Sequence, residues 1–292
     1  EETNFAHKVK QTSYPAVARG GMVWIYMGPK EKIPALPDFE WAYLPQMQRT
    51  STKRLQQCNW AQAVEGGIDS SHISFLHSST DAQFTANKNL PRRNKYLGID
   101  RHPVFDVRDV DYGVLISARR NGEEDSYYWR ITQCLMPFYQ MIPPVVPEDD
   151  TSKASYTGHA WVPIDDENTW TWTFSANPHR DFTPKEAEIS GGAGGMWGPI
   201  DENYRPVQNR DNNYMLDRVA QKNDTFTGIS GIPNQDAAVQ ESMGPIVDRN
   251  REYLGQSDSA IIAWRRRIIE MAKNLSAGEE PAEAHHPEWY NV

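Results

Sequence analysis

The sequence predicts an α+β domain in which a curved antiparallel sheet grips a long C-terminal helix. Strand-like runs crowd residues 105–175, an amphipathic helix follows at 257–275, and each element has a single apolar face to bury. The chain of 292 residues is long enough to close a substantial core. In chain order, Gly20-Gly21 leads into the apolar run Met22–Met27, which stops at Gly28-Pro29 and reads as a buried strand. Pro34, Pro37 and Pro45 mark residues 30–50 as a connector. Tyr112-Gly113 separates a polar run from Val114-Leu115-Ile116, and strands are then expected at Ser126–Leu135 and Tyr156–Val162. Thr169–Phe174 alternates strictly, with its aromatic residues on one face, as a half-buried strand does.

Beyond residue 180 the chain turns polar. The glycine cluster Gly191–Gly195 lacks the Lys-Ser/Thr of a phosphate cradle and is expected to be a loop or lid. In the terminal helix Ile261, Trp264, Ile268, Met271 and Leu275 recur at helical spacing, with Ser257 or Asp258 as N-cap and Gly278 as the stop. Arg265, Arg266 and Arg267 then fall on a solvated face. The tail after Gly278 is expected to be loosely ordered, and its His285-His286 pair is a weak metal signal.

Composition excludes several classes of function. Thirty Lys+Arg against 39 Asp+Glu give a net charge of −9, a field that repels nucleic acid. No apolar run approaches the ~20 residues of a membrane helix. Cys58 and Cys134 lack Cys-x2-Cys or Cys-x-His partners, so this chain alone holds no thiolate-bound cluster, and both read as buried core thiols. Two unpaired thiols fit a reducing compartment, and the expectation is cytoplasmic.

Chemistry concentrates in Asn59–His77, which sets Asp69, His72 and His77 in a D-x2-H-x4-H arrangement. Imidazole is a common ligand of zinc, copper and iron. Five residues advance a helix by about 500°, roughly 140° from alignment at ~3.6 residues per turn. Both rings therefore meet one ion only if the helix is distorted or ends between them. Asp69 is placed to accept an imidazole N–H and fix its tautomer. Spacing alone leaves the pair open between metal ligands and ordinary surface or core histidines.

Asn59-Trp60, then Glu65-Gly66, Asp69, His72 and His77, resembles the mononuclear-iron motif of the Rieske non-haem iron oxygenases, and within them the phthalate dioxygenase branch. The likeness continues through Thr225–Ile229, Asn234-Gln235-Asp236, Glu241–Ile246, Asp248-Arg249 and Leu254–Asp258, and reaches back to Tyr14-Pro15 and Gly20–Gly28. It spans about residues 3–275. The resemblance implies a helix-grip (START-like) catalytic domain over residues 36–292, with 1–35 the closing strands of a Rieske domain and a connector.

It further implies Fe(II) held by His72, His77 and Asp236. Without the likeness Asp236 would read as the N-cap of the helix that carries Ala237-Ala238-Val239. Asp69 would link the iron's histidine to a histidine of the Rieske [2Fe–2S] cluster in a neighbouring subunit of a homotrimer or stacked hexamer. That cluster is expected on a segment before residue 1, and the natural protein to begin roughly 100 residues earlier, one small domain. Glu65 departs from branches with an asparagine at its place, and is assigned a structural or supporting role.

An aromatic carboxylate in an apolar pocket calls for a cation, and arginine offers a two-pronged grip. Arg130, mid-strand opposite Trp129 and Ile131, and Arg93, in the loop Pro91-Arg92-Arg93, are the candidates; surface salt bridges are the alternative for each. The expected function is a terminal oxygenase that cis-dihydroxylates a phthalate-like acid with O2. Its electrons would come from NADH through a flavin and iron–sulfur reductase. Two alternatives are a monooxygenase of an aromatic acid (O-demethylase or hydroxylase) and a non-catalytic helix-grip ligand-binding module.

Overall fold

The structure is a computed structural model that describes residues 8–79, 92–145, 154–191 and 198–292. Most of the glycine cluster, Gly192 to Gly195, lies outside the described residues.

A small antiparallel hairpin pairs β1 (Ala16–Arg19) with β2 (Met22–Ile25) around Gly20-Gly21, both at positive φ. The main sheet has seven antiparallel strands. These are β3 (Arg49–Gln56), β4 (Val104–Val110), β5 (Gly113–Asn121), β6 (Tyr127–Leu135), β7 (Tyr139–Val145), β8 (Ser155–Pro163) and β9 (Thr169–Ala176), ordered β3-β9-β8-β7-β6-β5-β4. Strands β4 to β9 form a meander, and β3 closes its far edge against β9, from Arg49 opposite Ala176 to Gln56 opposite Thr169.

One face of the sheet carries the helices α1 (Trp60–Ile68), α5 (Ile232–Ser242) and α6 (Ser259–Ser276). Three shorter helices, α2 (Arg92–Ile99), α3 (Pro184–Gly191) and α4 (Arg218–Asn223), and several 3-10 turns fill the connections. The α+β class expected from the sequence is what the chain adopts. No helix among the described residues is long and apolar enough to cross a membrane.

The helix-bearing face is held by Val64, Ile68, Val114, Ile116, Cys134 and Trp161, onto which α6 lowers Trp264. The Trp264 indole N–H donates to the carbonyl of Pro137 at 3.2 Å, which satisfies the polar atom of this buried ring. On the opposite face, Phe39 and Trp41 pack against Phe174, with Trp41 and Phe174 stacked at 4.2 Å between ring centroids. The proline-rich stretch read as a connector thus supplies a second core, and it runs into a strand, β3, that the sequence did not announce.

Two further expectations are corrected. Of the arginines on α6, Arg265 donates to Glu65 at 2.7 and 2.8 Å and Arg267 to Glu283 at 2.7 Å; Arg266, paired with Asp109, is the exposed one. The tail is not loose: Tyr290 is buried, and its hydroxyl donates to the carbonyl of Met136 at 2.8 Å. His285 and His286 pair with Glu280 and Glu288 and converge on no shared site.

Candidate metal centre

Helix α1 starts on Asn59, whose side chain accepts from the amide of Ala61 at 3.0 Å, and ends after Gly66-Gly67-Ile68. Glycine weakens a helix end, and here it also gives room. A Cβ on Gly67 would collide with the Trp161 ring, and one on Gly66 with the Gln240 amide. Asp69 then turns the chain: its carboxylate accepts the amides of Ser71 at 2.6 Å and His72 at 3.1 Å. His72–Ser74 is a single 3-10 turn and His77 follows it, so both histidines lie beyond the helix end. The misalignment expected for a continuous helix does not arise.

Asp236 comes from α5. That helix begins at Ile232 behind Gly231, which stands at φ +84°, so Asp236 sits inside the helix and caps nothing. The three side chains meet. His77 Nε2 lies 3.1 Å from Asp236 Oδ1, His72 Nε2 lies 3.5 Å from the same oxygen, and the two Nε2 atoms are 3.2 Å apart.

The partners of the opposite ring nitrogens decide what this cluster is. His77 Nδ1 is 2.7 Å from Gln235 Oε1, while the Gln235 amide nitrogen donates to the carbonyl of Ile229 at 2.9 Å. The glutamine oxygen is therefore an acceptor, and His77 carries its proton on Nδ1. His72 Nδ1 lies 3.3 Å from Asp69 Oδ2, which likewise places its proton on Nδ1. Two imidazole lone pairs and one carboxylate then face a common point, an arrangement that calls for a cation. Among the described residues these three are the group of metal-capable side chains whose ligand atoms lie within 4.8 Å of one another. Two neutral nitrogens and one anionic oxygen suit a divalent first-row metal with positions left open.

Charge distribution agrees. Burial pushes the Asp236 carboxyl up, but the hydrogen bond and charge of His77 and the charges of His72 and Arg54 outweigh it and hold it below the usual range. Asp69 follows the same pattern, with burial overcome by His72 and by two backbone N–H bonds. His72 is pulled down by burial but ends above its ordinary value because Asp69 and Asp236 flank it.

The three side chains line a cavity of about 310 Å³ between α1, α5 and the sheet. Its apolar wall includes Ile73, Leu97, Ile142 and Trp161, and Arg54, Arg130 and His159 supply its polar side. Arg130 is 6% exposed, on the face of β6 opposite Trp129 and Ile131. Arg93 falls on the first turn of α2, not in a loop, and its side chain lies outside the described residues. His159 is pulled down to about 4 by burial and by the Arg54 charge, so its ring is neutral near pH 7. Glu65 joins Arg249, Arg265 and Glu252 in an ion-pair network that ties α1 to α6.

Sequence reasoning missed Gln235, Arg54 and His159. Gln235 adjoins Asp236, and its amide is the group that fixes His77. Gln235→Leu is expected to weaken metal binding by about 10–100-fold, the usual cost of losing an orienting partner, with the metal titration as the check.

Residues 25–289 match the family model described as LigXa C-terminal domain like. The chain belongs to this family. Among members' relatives, it is 36% identical over 283 residues to the phthalate 4,5-dioxygenase oxygenase subunit of Pseudomonas putida, covering 95% of this chain and 63% of that protein. It is 32% identical to the 3-chlorobenzoate-3,4-dioxygenase oxygenase subunit of Comamonas testosteroni, covering 92% of this chain and 63% of the other. The LigXa C-terminal domain-like chain thus spans just under two thirds of the length of these curated relatives. Its fold resembles that of dicamba monooxygenase solved with dicamba, at a TM-score of 0.56 and 16% identity, covering 90% of this chain and 70% of that one. The likeness of its motifs to the Rieske non-haem iron oxygenases therefore holds at the level of family.

Proposed function

We propose that this chain is the catalytic part of the terminal oxygenase of a Rieske-type system that cis-dihydroxylates a phthalate-like aromatic carboxylate. One observation carries the reading: two imidazole lone pairs and a carboxylate converge on the wall of a cavity that also presents a buried guanidinium. His72, His77 and Asp236 would hold Fe(II), which supplies a site for dioxygen binding and reduction when bound. The remaining work belongs to the side chains. Arg130, with Arg93 as a second candidate, grips the carboxylate of the substrate. Asp69 and Gln235 keep both Nδ1 protons in place, so that both Nε2 lone pairs stay turned to the metal. The apolar wall excludes bulk water and lays the ring flat near the ligands.

Two electrons and two protons accompany each O2 added to the ring. We assign their source to NADH, through a flavin and iron–sulfur reductase and a Rieske [2Fe–2S] cluster carried outside residues 1–292. Residues 1–35 belong, on this reading, with that cluster's domain, and 36–292 form the mononuclear-iron domain. Asp69 links His72 to the cluster of a neighbouring subunit in a homotrimer or stacked hexamer. The Asp69 side chain is 21% exposed, beside a surface depression bordered by Val239, Met243, Tyr253 and Leu254, which supports a partner at that point.

Turnover of phthalate under ¹⁸O2 tests the reading. The expected product is a dihydrodiol with both labelled atoms from one O2 molecule. Retention of one labelled atom would make the enzyme a monooxygenase, and no oxidised product with iron absent would leave a ligand-binding module.

A further inference from the structure

Two buried arginines make hydrogen bonds to the segments that carry the metal-capable side chains. Arg120, on β5, is 0% exposed, and its Nη2 donates to the carbonyl of Ser70 at 2.7 Å and to Ser74 Oγ at 3.3 Å. Those acceptors bracket His72, and Ser70 follows Asp69 directly. Arg54, on β3, is 2% exposed, and it donates to the carbonyl of Pro233 at 3.1 Å and to Asn234 Oδ1 at 3.5 Å. These residues open α5 just ahead of Gln235 and Asp236. β3 is one edge of the sheet and β5 lies next to the other, so the two contacts sit at opposite ends of one frame.

Burying a guanidinium is costly, and a strand gains nothing from it by packing alone. The planar fork of Arg54 holds two acceptors on its two terminal nitrogens, and Arg120 holds both of its acceptors on Nη2. Neither the 3-10 turn at His72 nor the first turn of α5 belongs to the sheet. Other strand residues also bond to these helices, Gln56 to Gln240 of α5 and Gln140 to the carbonyl of Gly67, but the two arginines reach the turn around His72 and the residues just ahead of Asp236.

We propose that Arg120 and Arg54 are positioning residues that clamp the two ligand-bearing segments to the sheet and thereby set the geometry of the metal site. The inference rests on the assignment of His72, His77 and Asp236 as ligands. Of the two, Arg54 lines the cavity and Arg120 is not among the residues described along it, so Arg120 separates positioning from substrate contact.

The test is titration of the chelator-stripped protein with Co(II), followed by its visible absorption, for wild type, Arg120→Met and Arg54→Met. Each variant is expected to bind Co(II) about 10–100-fold more weakly, with shifted absorption bands. Arg120→Lys, which keeps a charged donor on a shorter side chain, is expected between Arg120→Met and wild type, and it carries the test if Arg120→Met does not fold. Ile116→Ala, buried in the same strand with no hydrogen bond to the turn, should lower the melting temperature yet leave cobalt affinity and spectrum unchanged. Wild-type affinity and spectrum in the arginine variants would overturn the proposal, as would equal weakening in Ile116→Ala. Failure of the wild type itself to bind Co(II) would instead sink the ligand assignment.

Discussion

The His77→Ala protein is expected to keep its fold and lose its metal. His77 is the best-anchored ligand, with Gln235 behind it at 2.7 Å and Asp236 beside it at 3.1 Å. A protein metal site contributes on the order of 10 kcal/mol, so one of three ligands carries about 3 kcal/mol, or roughly a hundredfold in affinity. Iron content after loading and desalting should fall from near one per chain to a small fraction, and oxygenation should fall with it. Asp236→Asn should do the same by a different route, since it keeps the shape but removes the one negative charge among the ligands. In the metal-free protein His77 and His72 favour the ionised Asp236, so either substitution should lower the melting temperature slightly while the fold is kept. Retention of iron by His77→Ala would show that the metal binds elsewhere.

Arg130→Met is expected to strike substrate binding and spare the metal. The guanidinium is 6% exposed and lines the cavity wall, where the low dielectric strengthens its pull on a carboxylate. Removing one partner of such a buried pair costs about 2–5 kcal/mol, so kcat/KM for an aromatic acid should fall about thirtyfold or more. Most of the change should appear in KM, because the carboxylate is bound equally in the ground and transition states. Methionine fills a similar volume without charge, so iron content should stay at the wild-type level. An unchanged kcat/KM for phthalate would remove Arg130 from the site.

What the sequence made legible divides along physical lines. The terminal helix was readable because its face meets an apolar core, with Trp264 at the centre. β3 was not, because its inward residues Arg54 and Gln56 form part of the polar side of the cavity, and the apolar alternation that marks a strand is missing there. β9 shows the same effect in a subtler form. Its alternation announced a strand, yet Thr169, Thr171 and Thr173 point to the helix-bearing side and Trp170 and Trp172 point away. Lys53 sits over those two indoles, at 4.2 and 5.4 Å from their centroids. The ligand set was legible only through family resemblance, since His77 and Asp236 are 159 positions apart and no local period joins them. Gln235, Arg54 and Arg120 left no local signal, because their partners lie on other elements and a polar residue in sequence looks exposed until the fold closes around it.

The chemistry of this chain depends on one metal site. Crystals of the protein soaked in Fe(II) under anaerobic conditions, with diffraction collected at the iron absorption edge, would locate it. The prediction is an anomalous peak about 2.0–2.2 Å from His72 Nε2, His77 Nε2 and an Asp236 oxygen. A loaded protein with no peak at that point, or with its peak at His285 and His286, would contradict it.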